Sequence, residues 1–539
     1  MRNSSKHHLP ANVTIRGVTA ASGTRWINIL KGHSSAWSRY SDFATDERAT
    51  RSRFAEQGVV LVAASWRQVI EQVSRLEDFP TEEVAERPGW VGASFVLPDG
   101  TVFSPDGVAP PQITFNLDAS RWDQRGSMKG WIKHVARPLT GQSLPMFLLM
   151  TAFAAPILEF TGRSENFGFE IVGRPGCGKS TSQLLMASVL GGTRNTDSGK
   201  YWIAFDTTLD GLESAMSEHS GLPMIINEAN LFYAHLAQRA RATQLKALVF
   251  KLGQGHDKRR FGAERPQTHR FVYVTSSNVS LAMMIAGENV AVADAAFDRL
   301  MTLEVPSDRF TGVFDFVPKG YADAEAFANR QETAANKHHG HAIRRFLAGL
   351  VDDRALGERG LFRQIAKDME MFRTKAASLE GVSSTGRVAE AFALVYAAGK
   401  LAQRYGALPD NWHCGWAALA CYRQMLEMSE HRPNFDLLLG AVLRKPGVVD
   451  LDCSSLERFD DTAFAAIPAF LKTNQNGRRE ALFHPPTLEE AIPGWKALIN
   501  ADGVRAVHTH DGDRLTKKRH VRSGTTDRMV CIVLPGDKN

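Results

Sequence analysis

The sequence predicts an α/β fold, a parallel sheet with helices on both faces, on three observations. Apolar strand-like runs recur at Phe167–Val172, Met224–Ile226, Phe271–Val274 and Leu300–Val305, with helical segments between them. The first run leads into Gly173, Arg174, Pro175, Gly176, Cys177, Gly178, Lys179 and Ser180, which match the G-x-x-x-x-G-K-[ST] phosphate loop, and a helix-like run from Thr181 to Leu190 follows. Finally, 539 residues with 43% hydrophobic and 23% charged side chains suffice for three or four globular domains, each with its own core.

Residues 1–125 alternate short apolar runs with turns and read as a small α+β domain. Val13–Arg16, Trp26–Leu30, Gly58–Val62 and Ala93–Leu97 have strand character, Trp66–Leu76 has helical spacing, and Pro98-Asp99-Gly100 and Pro105-Asp106-Gly107 are turns. The pattern turns helical from Met128 to Phe160. Residues 126–310 therefore make the phosphate-loop unit. Residues 311–435 read as a helical domain, Ala- and Leu-rich with few strand signals. Residues 436–539 hold helices near Asp460–Lys472 and Thr487–Asn500. Strand-like runs flank the turn His510–Asp513, so the expected shape is a small winged helix.

The net charge of +6 is a mild basic excess, compatible with an acidic polymer such as DNA without requiring one. Five scattered cysteines (Cys177, Cys414, Cys421, Cys453, Cys531) have neither zinc nor redox spacing, which points to a reduced, cytoplasmic compartment. The N-terminus lacks the apolar stretch of a secretory signal. The most apolar run, Leu144–Leu158, contains Pro145 and Pro156 and is short for a bilayer span, so no membrane association is expected.

The phosphate loop fixes the expected cofactors, ATP and Mg²⁺. The backbone of residues 173–181, Thr181 included, would face the phosphates through its N–H groups (Pro175 has none), Lys179 would reach the β and γ phosphates, and the Ser180 hydroxyl would meet the metal. Hydrolysis also needs a carboxylate. The second strand ends in Asn227-Glu228, where Glu228 is placed to polarise the attacking water and Asn227 stands at the metal side. The third strand ends in Thr275-Ser276-Ser277-Asn278, with Ser276 and Asn278 both candidates for positioning that water. Arg299 precedes the fourth strand. It is either a cation projecting toward a neighbour's ATP or a partner of Asp298 or Asp294. Gly253–Gly262 reads as a tight hairpin carrying Lys258, Arg259 and Arg260, candidates for gripping DNA phosphates unless they are only a solvated face. Near the C-terminus, seven cations between Arg505 and Arg528 face three carboxylates.

The order of these motifs resembles the family catalogued as domain of unknown function 927, over about Phe54 to Arg432. The resemblance is carried by Gly89-Trp90, Phe95–Pro98, Gly168-Phe169, the phosphate loop, Asp210–Glu213, Asn227-Glu228, Gly253–Gly255, the strand opened by Arg299, and Phe392–Val395. Members of that family are ring-type AAA+ ATPases of phages and other mobile elements, related to superfamily-3 and minichromosome-maintenance helicases. Three stretches depart from its pattern. Asn227 stands where the family has Asp, the cations of the hairpin tip are shifted to Lys258–Arg260, and Thr275–Asn278 replaces Ser-Thr-Gly-Glu.

The resemblance implies a P-loop AAA+ core, a homo-oligomeric, hexameric ring, and single-stranded or forked DNA as partner. It further implies a translocase or helicase in replication of a mobile element, with primase or other replication proteins as possible associates. Lys179, Ser180 and Glu228 would act in cis and Arg299 in trans. The rival expectation is an ATP-driven switch or origin-melting initiator without processive unwinding.

Overall fold

The computed structural model describes residues 12–115, 117, 119–192, 201, 203, 209–233, 235–236, 238–256, 268–286, 296, 298–306, 308–378, 386–430, 439, 442–443, 446–453, 460–475, 477–492, 495 and 516–534. It is a mixed α/β protein. The chain opens with an antiparallel meander of β1 (Val13–Thr19), β2 (Arg25–Lys31) and β3 (Ser34–Arg39). Helices Glu47–Glu56 and Ala63–Ser74 accompany it, burying Phe54, Trp66, Val69 and Val73 against Ile27, Ile29 and Ala36. The expected strand at Gly58–Val62 is instead extended loop, with Val60 and Val62 largely exposed. The third strand is Ser34–Arg39. Its Ser-Ser-Ala-Trp-Ser-Arg composition has little apolar signal, and it is formed by pairing with β2 rather than by propensity.

Short strands β4 (Val84–Ala85), β5 (Gly89–Val91), β6 (Ser94–Val96), β7 (Val102–Phe103) and β8 (Gln112–Ile113) follow. β5, β6 and β7 form an antiparallel sheet, and β4 pairs parallel with β8. Trp90 anchors this region to what comes next. Its indole N–H donates to the Pro156 carbonyl (2.9 Å), Phe95 and Phe160 meet it edge-on, and the Arg354 guanidinium lies 4.5 Å from its ring centre.

The central sheet is parallel throughout. It comprises β9 (Phe167–Val172), β10 (Met224–Ile226), β11 (Val272–Ser277) and β12 (Leu300–Glu304), in spatial order β10-β11-β9-β12. A parallel sheet is buried on both faces, and strand periodicity divides its side chains between two cores. Phe167, Phe169, Ile171, Ile225, Val272, Val274, Met301 and Leu303 join the core that contains helix Ser143–Thr151 and the helical region. Met224, Ile226, Tyr273 and Leu300 join a second core with helices Leu209–Glu218 and Gln238–Gln254. Phe147, Phe169 and Phe392 lie within about 5 Å of one another (ring centres 4.9–5.1 Å), so the sheet packs directly on helix Gly386–Arg404.

The apolar run expected to be a buried helix is two, Ser143–Thr151 and Ala154–Ile157, bent at Ala152-Phe153 and buried almost throughout. Among the described residues no single helix is long and apolar enough to cross a membrane; only this bent pair passes by length and composition. The helical region comprises Ala324–Lys337, His341–Ala377 (interrupted at Gly357), Gly386–Arg404 and Cys414–Glu430.

The C-terminal part is built on a five-stranded mixed sheet: β13 (Val449–Asp450), β14 (Phe470–Thr473), β15 (Arg479–Phe483), β16 (Lys517–Arg519) and β17 (Asp527–Val533), in order β13-β14-β15-β17-β16. The helix expected over Asp460–Lys472 stops at Ala466. Ile467 precedes Pro468, whose ring disfavours a helical residue before it, and the chain then enters β14. The next helix, Pro485–Ala491, likewise ends at Ile492, just before Pro493. The turn His510–Asp513 lies outside the described residues; the antiparallel pair β16–β17 is joined through His520–Thr526.

Gly168 shows how tightly the sheet is packed. A Cβ there would lie 2.4 Å from the Tyr273 ring, whose hydroxyl donates to the Arg299 carbonyl (3.0 Å). Gly168→Ala is therefore expected to cost about 1–3 kcal/mol through overpacking. Urea melts check this, and a variant as stable as the wild type would show that the ring yields freely.

Candidate functional site

The site is built where β9 ends. Positive φ at Gly176 (77°) and Gly178 (93°) turns the chain sharply into helix Lys179–Leu190, a conformation that costs glycine least. The helix's first N–H groups lack carbonyl partners within the helix, and a helix start of this kind at the C-terminal edge of a sheet suits an anion. β9 is flanked by β11 on one side and β12 on the other, and such a central position in an open parallel sheet is where ligands bind. Arg174, Pro175 and Gly176 are exposed.

The loop is braced from behind by the segment after β12. Val313 N–H donates to the Cys177 carbonyl (2.9 Å), and a Cβ on Gly178 would come within 2.7 Å of Val313. Asp315 accepts from the Ser143 hydroxyl (2.8 Å), and its N–H donates to Gln142 Oε1 (2.7 Å). Thr181, expected at the phosphates through its N–H, directs its hydroxyl to Glu332 Oε1 (2.8 Å) on helix Ala324–Lys337.

Lys179 is buried. Its Nζ donates to the carbonyls of Gly173 (2.7 Å) and Arg174 (3.0 Å) and to Asn278 Oδ1 (3.0 Å). Burial holds its ammonium below the usual lysine range, opposed by Cys177 and Glu228. Of the two candidates on the third strand, Asn278 thus touches Lys179, while Ser276 serves the second strand. Ser276 Oγ donates to Asn227 Oδ1 (3.3 Å) and accepts from the Glu228 N–H (3.2 Å). Glu228 is exposed and left-handed (φ 50°), a sparsely populated conformation for a residue with a side chain. Gln183 Nε2 donates to the Ile226 carbonyl (3.0 Å), fastening the helix to β10. Ser180, half-buried, is the second residue of that helix, three positions before Gln183.

Sequence reasoning passed over Glu170, although a carboxylate inside an otherwise apolar strand was the available signal. It is completely buried on the second face of β9. Both its oxygens accept from the Leu281 N–H (3.0 and 3.2 Å), and Oε2 accepts from the Thr302 hydroxyl (3.4 Å). Burial pushes its pKa up to about 7, against the opposing hydrogen bonds from Leu281, Ser280, Thr302 and Ser277.

Arg299 does not project from an edge. It sits at the start of β12, at the opposite end of the sheet from the glycine turn. Its guanidinium pairs with Glu165 (3.1 Å) and lies 4.8 Å from the Phe250 ring centre. Glu165, two residues before β9, is brought to it by the pairing of β12 with that neighbouring strand. Lys258, Arg259 and Arg260 lie outside the described residues. The segment that carries them is tied at its base: His256 and Thr268 bridge antiparallel, and Asn166 Nδ2 donates to the His269 carbonyl (2.9 Å). Gly253 and Gln254 end the preceding helix rather than opening a hairpin. Two of the C-terminal cations are engaged: Arg519 pairs with Glu480 (3.0 Å), and Arg522 with Asp527 (2.9 Å) and Asp461 (2.7 Å).

The architecture is thus a mixed α/β fold with a glycine turn at the carboxyl end of the central strand of its parallel sheet. The family model described as "Domain of unknown function (DUF927)" matches residues 10–266, which bears out the resemblance read from the sequence. No curated protein matches the chain. Among solved structures, "SCCmec type IV Cch - active helicase" aligns over 98% of this chain and 94% of its own, at 13% identity and a TM-score of 0.60, so the two share a fold. Two structures of the NrS-1 C-terminal region align over 61% and 71% of this chain, and 65% and 84% of their own, at 11% and 12% identity. Their TM-scores of 0.26 and 0.27 are too low to indicate a common fold.

The raised pKa of Glu170 has a definite sign. Between the ordinary value of 4.5 and about 7 the native state holds a proton that the unfolded state has released, so stability falls as pH rises through that window. Glu170→Gln, which cannot titrate, is expected to flatten this slope. Urea melts at pH 5 and pH 8 measure it; an unchanged slope in the variant would place the titration elsewhere.

Proposed function

We propose that the chain is a Mg·ATP-dependent AAA+ motor that assembles as a homo-oligomeric ring, translocates on DNA and unwinds it during replication of a mobile element. The observation that carries this reading is the convergence of Lys179, Asn278 and Glu228, from three different elements, on one glycine turn. In this reading 126–310 is the ATPase core, 1–125 and 436–539 are appended α+β and C-terminal units, and 311–435 is the helical domain.

Lys179 exchanges the Gly173 and Arg174 carbonyls for the β and γ phosphates, retaining its proton and its charge. The backbone N–H groups of residues 176–181 hold the remaining phosphate oxygens, since Pro175 has none and the Gly173 N–H is given to the Ser277 carbonyl. Glu228 orients and polarises the attacking water, and Asn278, already at Lys179, lies where it can position the γ-phosphate side of the reaction. The Ser180 hydroxyl and Asn227 amide oxygen are hard donors of the kind Mg²⁺ accepts. Mg²⁺ is commonly held by one or two protein donors together with the phosphates themselves. Mg²⁺ would neutralise charge on the phosphate oxygens. For Arg299 to serve a neighbour's ATP it must first leave Glu165.

The second reading, a slow nucleotide-driven switch without unwinding, is favoured by Asn227, which contributes no charge at the metal side.

Lys179→Ala is expected to lower ATP hydrolysis by roughly 100-fold or more with the melting transition retained. Glu228→Gln should bind ATP and turn it over poorly. Steady-state ATPase and nucleotide-binding assays test both, and wild-type turnover in the Lys179→Ala protein would overturn the ATP assignment.

Replacing Lys258, Arg259 and Arg260 together with Ala should spare basal hydrolysis and abolish its stimulation by single-stranded DNA. Each lost phosphate contact should lower the salt slope of DNA binding by about one unit. Unwinding of a forked duplex separates the readings: a wild type that hydrolyses ATP but neither responds to DNA nor opens the fork is the switch.

A further inference from the structure

We infer that Glu170 is a positioning residue for ATP turnover, its buried carboxylate holding the loop Ser277–Leu281 where Asn278 meets Lys179. This rests on the ATP reading above and adds to it a residue outside the phosphate-loop and second-strand motifs.

The loop leaves β11 at Ser277 and starts helix Leu281–Ala286 four residues later. It is secured at both ends. At its start the Ser277 hydroxyl accepts from the Val279 N–H (3.2 Å), folding the chain around Asn278. At its end the Leu281 N–H is directed at both oxygens of Glu170, and the hydroxyls of Ser280 and Thr302 meet each other (3.2 Å) beside the same carboxylate. Asn278 and Val279 are exposed between these fastenings, and Asn278 Oδ1 reaches Lys179. β9 therefore acts twice at the site. Its C-terminal end delivers the glycine turn, and Glu170, two residues before that end, fixes the loop opposite.

The surroundings of Glu170 argue against a purely structural role. Its side chain occupies the apolar second face of the sheet, where its neighbours on the same strand are Gly168 and Val172. Removing a carboxylate from water there is costly, and an apolar residue of similar size would pack the face without that cost. What an apolar residue does not offer is two acceptor oxygens for a backbone N–H and two hydroxyls converging from the loop and from β12.

The test uses the full chain at pH 8, where the carboxyl is ionised. Glu170→Gln keeps the volume and one acceptor oxygen but places an NH₂ donor against donors. Its kcat for ATP is expected to fall about 10-fold while the Kd for ATP stays within about twofold, because the glycine turn is untouched. Asn278→Ala should lower kcat as well. In the Asn278→Ala background Glu170→Gln should add nothing, since it acts through that side chain. Thr302→Val, which removes one partner and leaves the charge, should give a smaller loss with the same split between kcat and Kd.

Wild-type kcat in Glu170→Gln would overturn the inference. So would losses of kcat that multiply in the double variant, or a parallel loss of Kd and kcat, the mark of general loosening. A wild type that neither binds nor hydrolyses ATP overturns the ATP reading itself and the inference with it, whereas a wild type that hydrolyses ATP with an indifferent Glu170 leaves that reading standing.

Discussion

The structure depends on β9 being buried on both faces. Its odd-numbered side chains, Phe167, Phe169 and Ile171, enter the core shared with helices Ser143–Thr151 and Gly386–Arg404. Its even-numbered positions face the second core, where Gly168 makes room for the Tyr273 ring and Glu170 meets Leu281. A strand held in this way cannot slip register without exchanging its two faces. The glycine turn at its end is therefore presented from a fixed base, and the ends of β10 and β11 are fixed against it by the parallel ladder.

Much of this was legible in the sequence. The four central strands were readable because a parallel sheet buried on both faces is written as continuous apolar runs. The glycine turn was readable because positive φ leaves few residue types to choose from. Strand β3 was not, because its polar composition becomes a strand only by pairing with β2. The early end of the helix at Ala466 was readable in principle from Pro468, but the apolar residues around it masked the break. At the site, Lys179, Asn278 and Glu228 were identified from motif order. The contact of Lys179 with Asn278, the brace at Val313 and the hydrogen bond from Leu281 to Glu170 each join residues more than 90 positions apart.

Charge was the least legible property. Counting cations in the C-terminal segment gives a basic patch, yet Arg519 and Arg522 are paired with Glu480, Asp461 and Asp527, two of which lie far away in sequence. Arg299 shows the same effect in the central sheet, where Glu165 enters through strand order rather than sequence proximity. A formal charge sum describes the field at a distance; what a cation is free to bind is decided by the carboxylates that the fold brings to it.

The hydrogen bond from Thr181 to Glu332 has a mechanical consequence. Thr181 stands in the first turn of the helix that the glycine turn opens, and Glu332 stands on helix Ala324–Lys337, which leads through His338–Gly340 into helix His341–Ala377. The 37 residues of that last helix, at 1.5 Å each, make a rod about 55 Å in contour, jointed once at Gly357. A rotation of that first turn would reach the rod through the Thr181–Glu332 bond and the His338–Gly340 link. The joint sets how much of it arrives at the far end as displacement and how much is absorbed as bending.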